Sequence, residues 1–128
     1  MPAFVWIYFA GLVAMLAPDA IWLTFAGPAL YRPALGDLLA DNFSPIPAVL
    51  FYLLYVFGLT TLSAGRSVAE SAARGALFGL CAYGTYDLTN QATLRHWPTY
   101  LTLADLAWGT LLSAFAAAIA AVARRHFV

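Results

Sequence analysis

Four apolar stretches, about residues 3–26, 46–65, 71–94 and 99–123, fill most of this 128-residue chain. The hydrocarbon core of a bilayer is about 30 Å thick and takes ~20 residues of helix to cross. Each stretch has that length. None alternates polar with apolar residues as a barrel strand does, so helices are the way these segments satisfy their backbone in lipid. The fold class expected is all-α: an integral-membrane four-helix bundle forming a single transmembrane domain over residues 1–128. Charged residues make up 9% of the chain, against about 25% in soluble domains. The connections are too short to hold a soluble catalytic domain.

The six basic residues are all arginine and balance six acids, so net charge is zero and gives no reason to expect a nucleic-acid partner. The single cysteine, Cys81, has no intrachain partner and is expected as a small core residue of the third helix. The first stretch lacks a basic start and is interrupted by Pro18-Asp19, so it reads as a retained span rather than a cleaved leader. Four spans place both termini on one side. That side carries Arg66, Arg74, Arg124 and Arg125; the other carries Arg32 and Arg95. The positive-inside rule then makes both termini cytoplasmic.

The longest connection, about 27–45, places Leu35, Leu38 and Leu39 at helical spacing, with Asp37 and Asp41 elsewhere on the turn. A short interfacial helix between the first two spans is one reading; an ordered polar connection is the other. Trp97 and Tyr100 suit an outer aromatic belt.

Half of the acidic residues lie inside the apolar stretches: Asp19, Asp87 and Asp105. A carboxylate at a helix centre in lipid costs roughly 2.5–3.5 kcal/mol on insertion scales, so it tends to face a bundle interior or a wet cavity. Asp19 lies seven residues before Ala26, Asp87 seven before Leu94, and Asp105 six after Thr99. At 1.5 Å per residue all three sit roughly 9–11 Å below the outer helix ends. The expectation is a built polar site in the outer half, with the three carboxyls converging within roughly 10–12 Å across neighbouring helices.

Other residues are spaced to complete it. Asp19-x-x-Trp22 recurs as Asp105-x-x-Trp108, and residues three apart share a helix face, so each indole N–H can lie near a carboxylate. Gly75, Gly79, Tyr83 and Asp87 recur every four residues. The two glycines form a small-residue ridge for close helix approach. The outer half of that face (Tyr83, Tyr86, Asp87, Thr89 and Asn90) reads as a site, and Tyr52 and Tyr55 on the second span face the same depth. Packing explains many of these aromatics equally well, and a hydrogen-bond cluster without a ligand would use the same groups.

Pro18 removes a backbone donor just before Asp19 and should kink the first helix there. His96 and His126 fall at a loop and a terminus, away from the acids. No basic residue is expected at the acids' depth. Three ionised carboxylates do not sit together unpaired, so at least one proton or a cation is expected among them. No zinc spacing, phosphate loop or nucleophile triad is present; the sequence names no cofactor, and a divalent ion on oxygen ligands is the minor alternative. The candidate acid/base residues are Asp87 first, then Asp105 and Asp19. The candidate ligand-binding residues are Tyr83, Tyr86, Asn90, Trp22, Trp108, Tyr52 and Tyr55.

The same residues carry a family resemblance. D-A-I-W-L at 19–23, F-Y-L-L-Y at 51–55, G-T-Y-D-L-T-N at 84–90 and D-L-A-W-G at 105–109 resemble an uncharacterised bacterial family of small predicted integral membrane proteins. The resemblance covers nearly the whole chain. It implies four membrane helices, and hence a multi-pass protein of the bacterial inner membrane, and it brings no established activity. The leading expectation is a pocket that binds, and in one version modifies, a small or lipid-derived molecule reached from the bilayer or the periplasmic side, with membrane lipid as its surroundings. One alternative is a proton- or cation-coupled transporter, for which four helices require a homodimer. The other is an accessory subunit whose polar cluster only fixes helix register.

Overall fold

A computed structural model of the protein describes residues 2–128 and is all-helical, without a strand among them. The elements are α1 (Ala3–Ala26), a π-helical turn (Gly27–Tyr31), α2 (Arg32–Leu35), a 3-10 turn (Gly36–Leu38), α3 (Pro45–Leu62), α4 (Val68–Thr93) and α5 (Thr99–Phe127). The four long helices α1, α3, α4 and α5 correspond to the four apolar stretches. Three helical stretches are long and apolar enough to cross a membrane: Ala3–Leu38, Pro45–Leu62 and Thr99–Phe127. α4 has the length, but Glu70, Arg74, Asp87, Asn90 and Gln91 make it more polar. It meets this by packing along α5, which also carries α1 on another side.

The bundle is apolar outside as well as inside. Phe25, Leu54, Leu77, Leu111 and many like them are more than half exposed. A soluble monomer avoids such a surface, whereas lipid tails cover it without cost. Toward the end that carries the termini the core is closely filled: Met15, Val56, Leu59, Leu112 and Ala116 are wholly or almost wholly buried. Buried hydroxyls there are satisfied locally. Thr60 donates to the Val56 carbonyl at 2.8 Å, and Tyr55 and Ser113 share a 2.6 Å hydrogen bond across α3 and α5.

The α4–α5 seam is close because glycines line it. A Cβ at Gly79 would lie 2.5 Å from Ser113 Oγ and 2.6 Å from the Gly109 carbonyl oxygen, and one at Gly109 would enter the Tyr83 ring. Gly75 likewise lies against Ser113 and Ala117. The small-residue ridge read from sequence is thus the α5-facing side of α4.

Chain ends gather at one end of the bundle. Trp6 stacks on Phe127 with centroids 5.9 Å apart, and Arg124 donates to the Thr60 carbonyl at 3.0 Å. The α3–α4 turn at the same end closes on Ser67, whose Oγ accepts the Glu70 N–H at 3.0 Å while Glu70 Oε2 accepts the Arg66 N–H at 2.6 Å.

α1 runs through Pro18 as one helix, with the bounds expected from sequence. Two sequence expectations change in detail. The segment after α1 is not a separate surface helix: the Arg32 N–H reaches back five residues to the Gly27 carbonyl, so the helical path continues through the π turn into α2. Cys81 is exposed rather than in the core. The buried row of α4 is set by Gly75, Gly79 and Asp87, and Cys81 lies off that row.

Candidate functional site

The half of the bundle away from the chain termini holds a cavity of about 670 Å³. Its polar wall comes from every long helix: Asp19 of α1, Tyr52 and Tyr55 of α3, Tyr83 and Tyr86 of α4, and Asp105 and Trp108 of α5. Leu23, Leu35, Leu39 and Phe51 supply most of its apolar collar, and Tyr31 and Arg32 close it from the connection after α1. The size and the mixture of apolar walls with a few directed polar groups are those of a small-molecule site.

The two cavity-facing acids are held by fixed donors. Asp19 accepts hydrogen bonds from the Tyr52 hydroxyl and, at 2.9 Å, from the Trp108 indole N–H. Asp105 accepts from the Tyr31 hydroxyl at 2.5 Å, and that hydroxyl in turn accepts the Trp22 indole N–H at 3.0 Å. The two indoles stack at 4.7 Å with their planes 9° apart. The pair of D-x-x-W motifs therefore builds one continuous unit. Each tryptophan serves the other motif's acid: Trp108 directly, Trp22 through Tyr31. Asp19 and Asp105 are each 6% exposed, so neither points into lipid.

Asp87 differs. It is fully buried, neither carboxyl oxygen has a hydrogen-bond partner, and it is not on the cavity wall. It sits behind Asp105 in the α4–α5 seam. The first-ranked acid/base candidate from sequence is thus one layer removed from the cavity, and Asp105 takes the place at the wall. Among the described residues, no group of three His, Cys, Asp or Glu side chains could hold a metal ion.

The remaining candidates divide. Tyr52 serves Asp19 directly, but Tyr55 bonds Ser113 rather than an acid. Tyr83 is on the wall with its ring against Gly109. Tyr86 is on the wall but 55% exposed, with its ring edge-on to Trp97. Asn90 is half-buried and lies off the cavity, because it falls beyond the row that faces α5. Sequence reasoning missed Tyr31 and Arg32. Both sit in the connection that the π turn folds back over the acids, and Arg32 brings a basic group to a site expected to have none. The only sequence signal for them was a Tyr-Arg pair soon after the first apolar stretch.

The model of the family described as predicted membrane protein (DUF2177) matches residues 4–122. The chain belongs to that family. The match takes in α3 and α4, nearly all of α1, most of α5 and every wall residue of the cavity, so the family description and the lipid-ready exterior agree that this is a membrane protein. No curated protein and no solved structure matches the chain.

Proposed function

We propose that the protein binds a small amphiphilic, lipid-derived molecule in its outer-half cavity, as a multi-pass protein of the bacterial inner membrane with both termini cytoplasmic. The observation that carries this reading is the cavity's mixed lining of polar and apolar side chains. Asp19, Asp105, Tyr52 and Tyr83 supply acceptors and donors, while Leu23, Leu35, Leu39 and Phe51 supply surface for a hydrocarbon chain. A wholly polar solute would leave that collar unpaired, and a plain hydrocarbon would leave the acids unused. Arg32 suits an outer position, where a cation meets the interface. Asp19 and Asp105 are the groups placed to meet the ligand, and Trp108 walls it.

The closed inner core argues against the transport alternative. Met15, Val56, Leu59, Leu112 and Ala116 pack as one buried apolar cluster between the cavity and the end that carries the termini, which favours binding over passage.

Native mass spectrometry of protein released from its own membrane tests the reading. One amphiphile should co-purify per protein. Ala82→Phe, which places a ring in the cavity from its wall, should lose that molecule while keeping the unfolding temperature. An unchanged complement of bound molecules in the variant would overturn the proposal.

A further inference from the structure

The packing register of α4 on α5 sets two carboxyls face to face. Gly75 lies against Ala117, Gly79 against Ser113, and Tyr83 against Gly109. Each step moves four residues up α4 and four down α5. The next step pairs Asp87 with Asp105, and the following turn is closed by the 2.7 Å hydrogen bond from Thr102 to Gln91. The antiparallel register therefore fixes this juxtaposition along the whole seam.

The surroundings leave the pair few ways to exist. Asp87 has no exposed surface and no hydrogen-bond partner. The other buried polar side chains described above are matched with an acceptor or donor. From α5 the facing titratable group is Asp105. On its own helix it is Tyr86, which lies near both acids. α3 meets α4 lower down, through Tyr55 and Phe78, neither of them basic. Tyr31, from the connection after α1, is bonded to Asp105, and Arg32 of the same connection lines the cavity that Asp105 borders and Asp87 does not. Two ionised carboxylates facing one another in a buried seam, with no cation between them, repel strongly and lose their hydration. A single proton removes one charge and supplies the missing donor.

We propose that Asp87 and Asp105 hold one proton between them, Asp87 as the neutral acid and Asp105 as the carboxylate that accepts its hydrogen bond. Asp105, at the cavity wall, then accepts from Tyr31 on one side and Asp87 on the other. Asp87 is a positioning residue that acts through Asp105. When its proton passes to Asp105, Asp87 becomes the carboxylate and the pair keeps its net charge, so a proton reaches the cavity wall without entering from water. The pair belongs to the protein without ligand, so this inference stands apart from the amphiphile reading.

Infrared spectroscopy of the whole protein in lipid at neutral pH, with its aspartates carrying a carbon-13 carboxyl label, tests it. Wild type should show a protonated-carboxyl band that shifts with the label. Asp19→Asn should keep it. Asp87→Asn should lose it while remaining folded, because the amide still donates to Asp105. Asp105→Asn should keep the band but displace it, since the Asp87 hydroxyl would then donate to a neutral amide oxygen. The first overturning result is the absence of a labelled protonated band in wild type, which would put a cation or water in the seam. The second is a band removed by Asp19→Asn. If Asp87→Asn does not fold, Asp105→Asn still decides: a band left at its original position would overturn the pairing.

Discussion

Trp108 reaches from α5 to Asp19 on α1 and donates its indole N–H at 2.9 Å. With the Tyr52 hydroxyl on the second oxygen, Asp19 ties three of the four long helices together at one depth. A buried acceptor of this kind is costly to remove, because its donors are left without partners. Asp19→Leu should destabilise the protein by about 1–3 kcal/mol for each stranded donor, whereas Asp19→Asn, which keeps an acceptor oxygen, should cost less. Equilibrium unfolding in mild detergent compares the two. Equal losses would show that the hydrogen bonds carry no weight.

The α4–α5 seam makes a separate prediction. Gly79→Leu forces side-chain atoms into Ser113 and the Gly109 carbonyl, and overpacking of this kind costs about 1–3 kcal/mol. Cys81→Leu, on the same helix but facing outward, should change stability by no more than about 0.5 kcal/mol. The same unfolding measurement reads both, and a comparable loss from the two variants would mean that the seam is not where the bundle is held.

These two helices also show how far the sequence carries. The apolar stretches and the three acids within them were legible because each is a local signal: length of run, or one charged residue in a hydrophobic context. The register that pairs Asp87 with Asp105 was legible only as a shared depth, since depth counts along a helix but does not say which faces meet. Tyr31 and Arg32 were not legible. Their place depends on a π turn that re-aims the chain after α1, and Gly27-Pro28 alone does not specify one. Cys81 was misplaced because a small apolar residue suits lipid as well as core.

The segment that re-aims the chain can be loosened. Tyr31→Phe removes the hydroxyl that bridges Trp22 and Asp105, and a hydrogen bond to a charged group contributes about 1.5–3 kcal/mol. Hydrogen exchange in residues 27–39 should rise while exchange in α5 stays slow. Unchanged protection in that segment would show that Leu35 and Ala34, packed on Leu101, hold it without the tyrosine.

Both chain ends lie at one end of the bundle, with Trp6 on Phe127. Arg66, Arg74, Arg124 and Arg125 lie toward that end, and the positive-inside rule is the ground for proposing that it is cytoplasmic. A reporter fused after Val128 should be active only in its cytoplasmic form, and one inserted at Arg95 only in its periplasmic form. The reverse pattern would move the cavity to the cytoplasmic leaflet.

The cavity is proposed to take one amphiphile beside Trp108. Protein in which Trp6→Phe and Trp97→Phe leave only the stacked Trp22–Trp108 pair can be titrated with a single-chain amphiphile brominated on its tail. Fluorescence quenching should saturate at one molecule per protein, and Ala82→Phe should abolish the saturable part. Quenching that rises without saturation, and equally in both proteins, would mean that the amphiphile only partitions into surrounding lipid and that the cavity does not bind it.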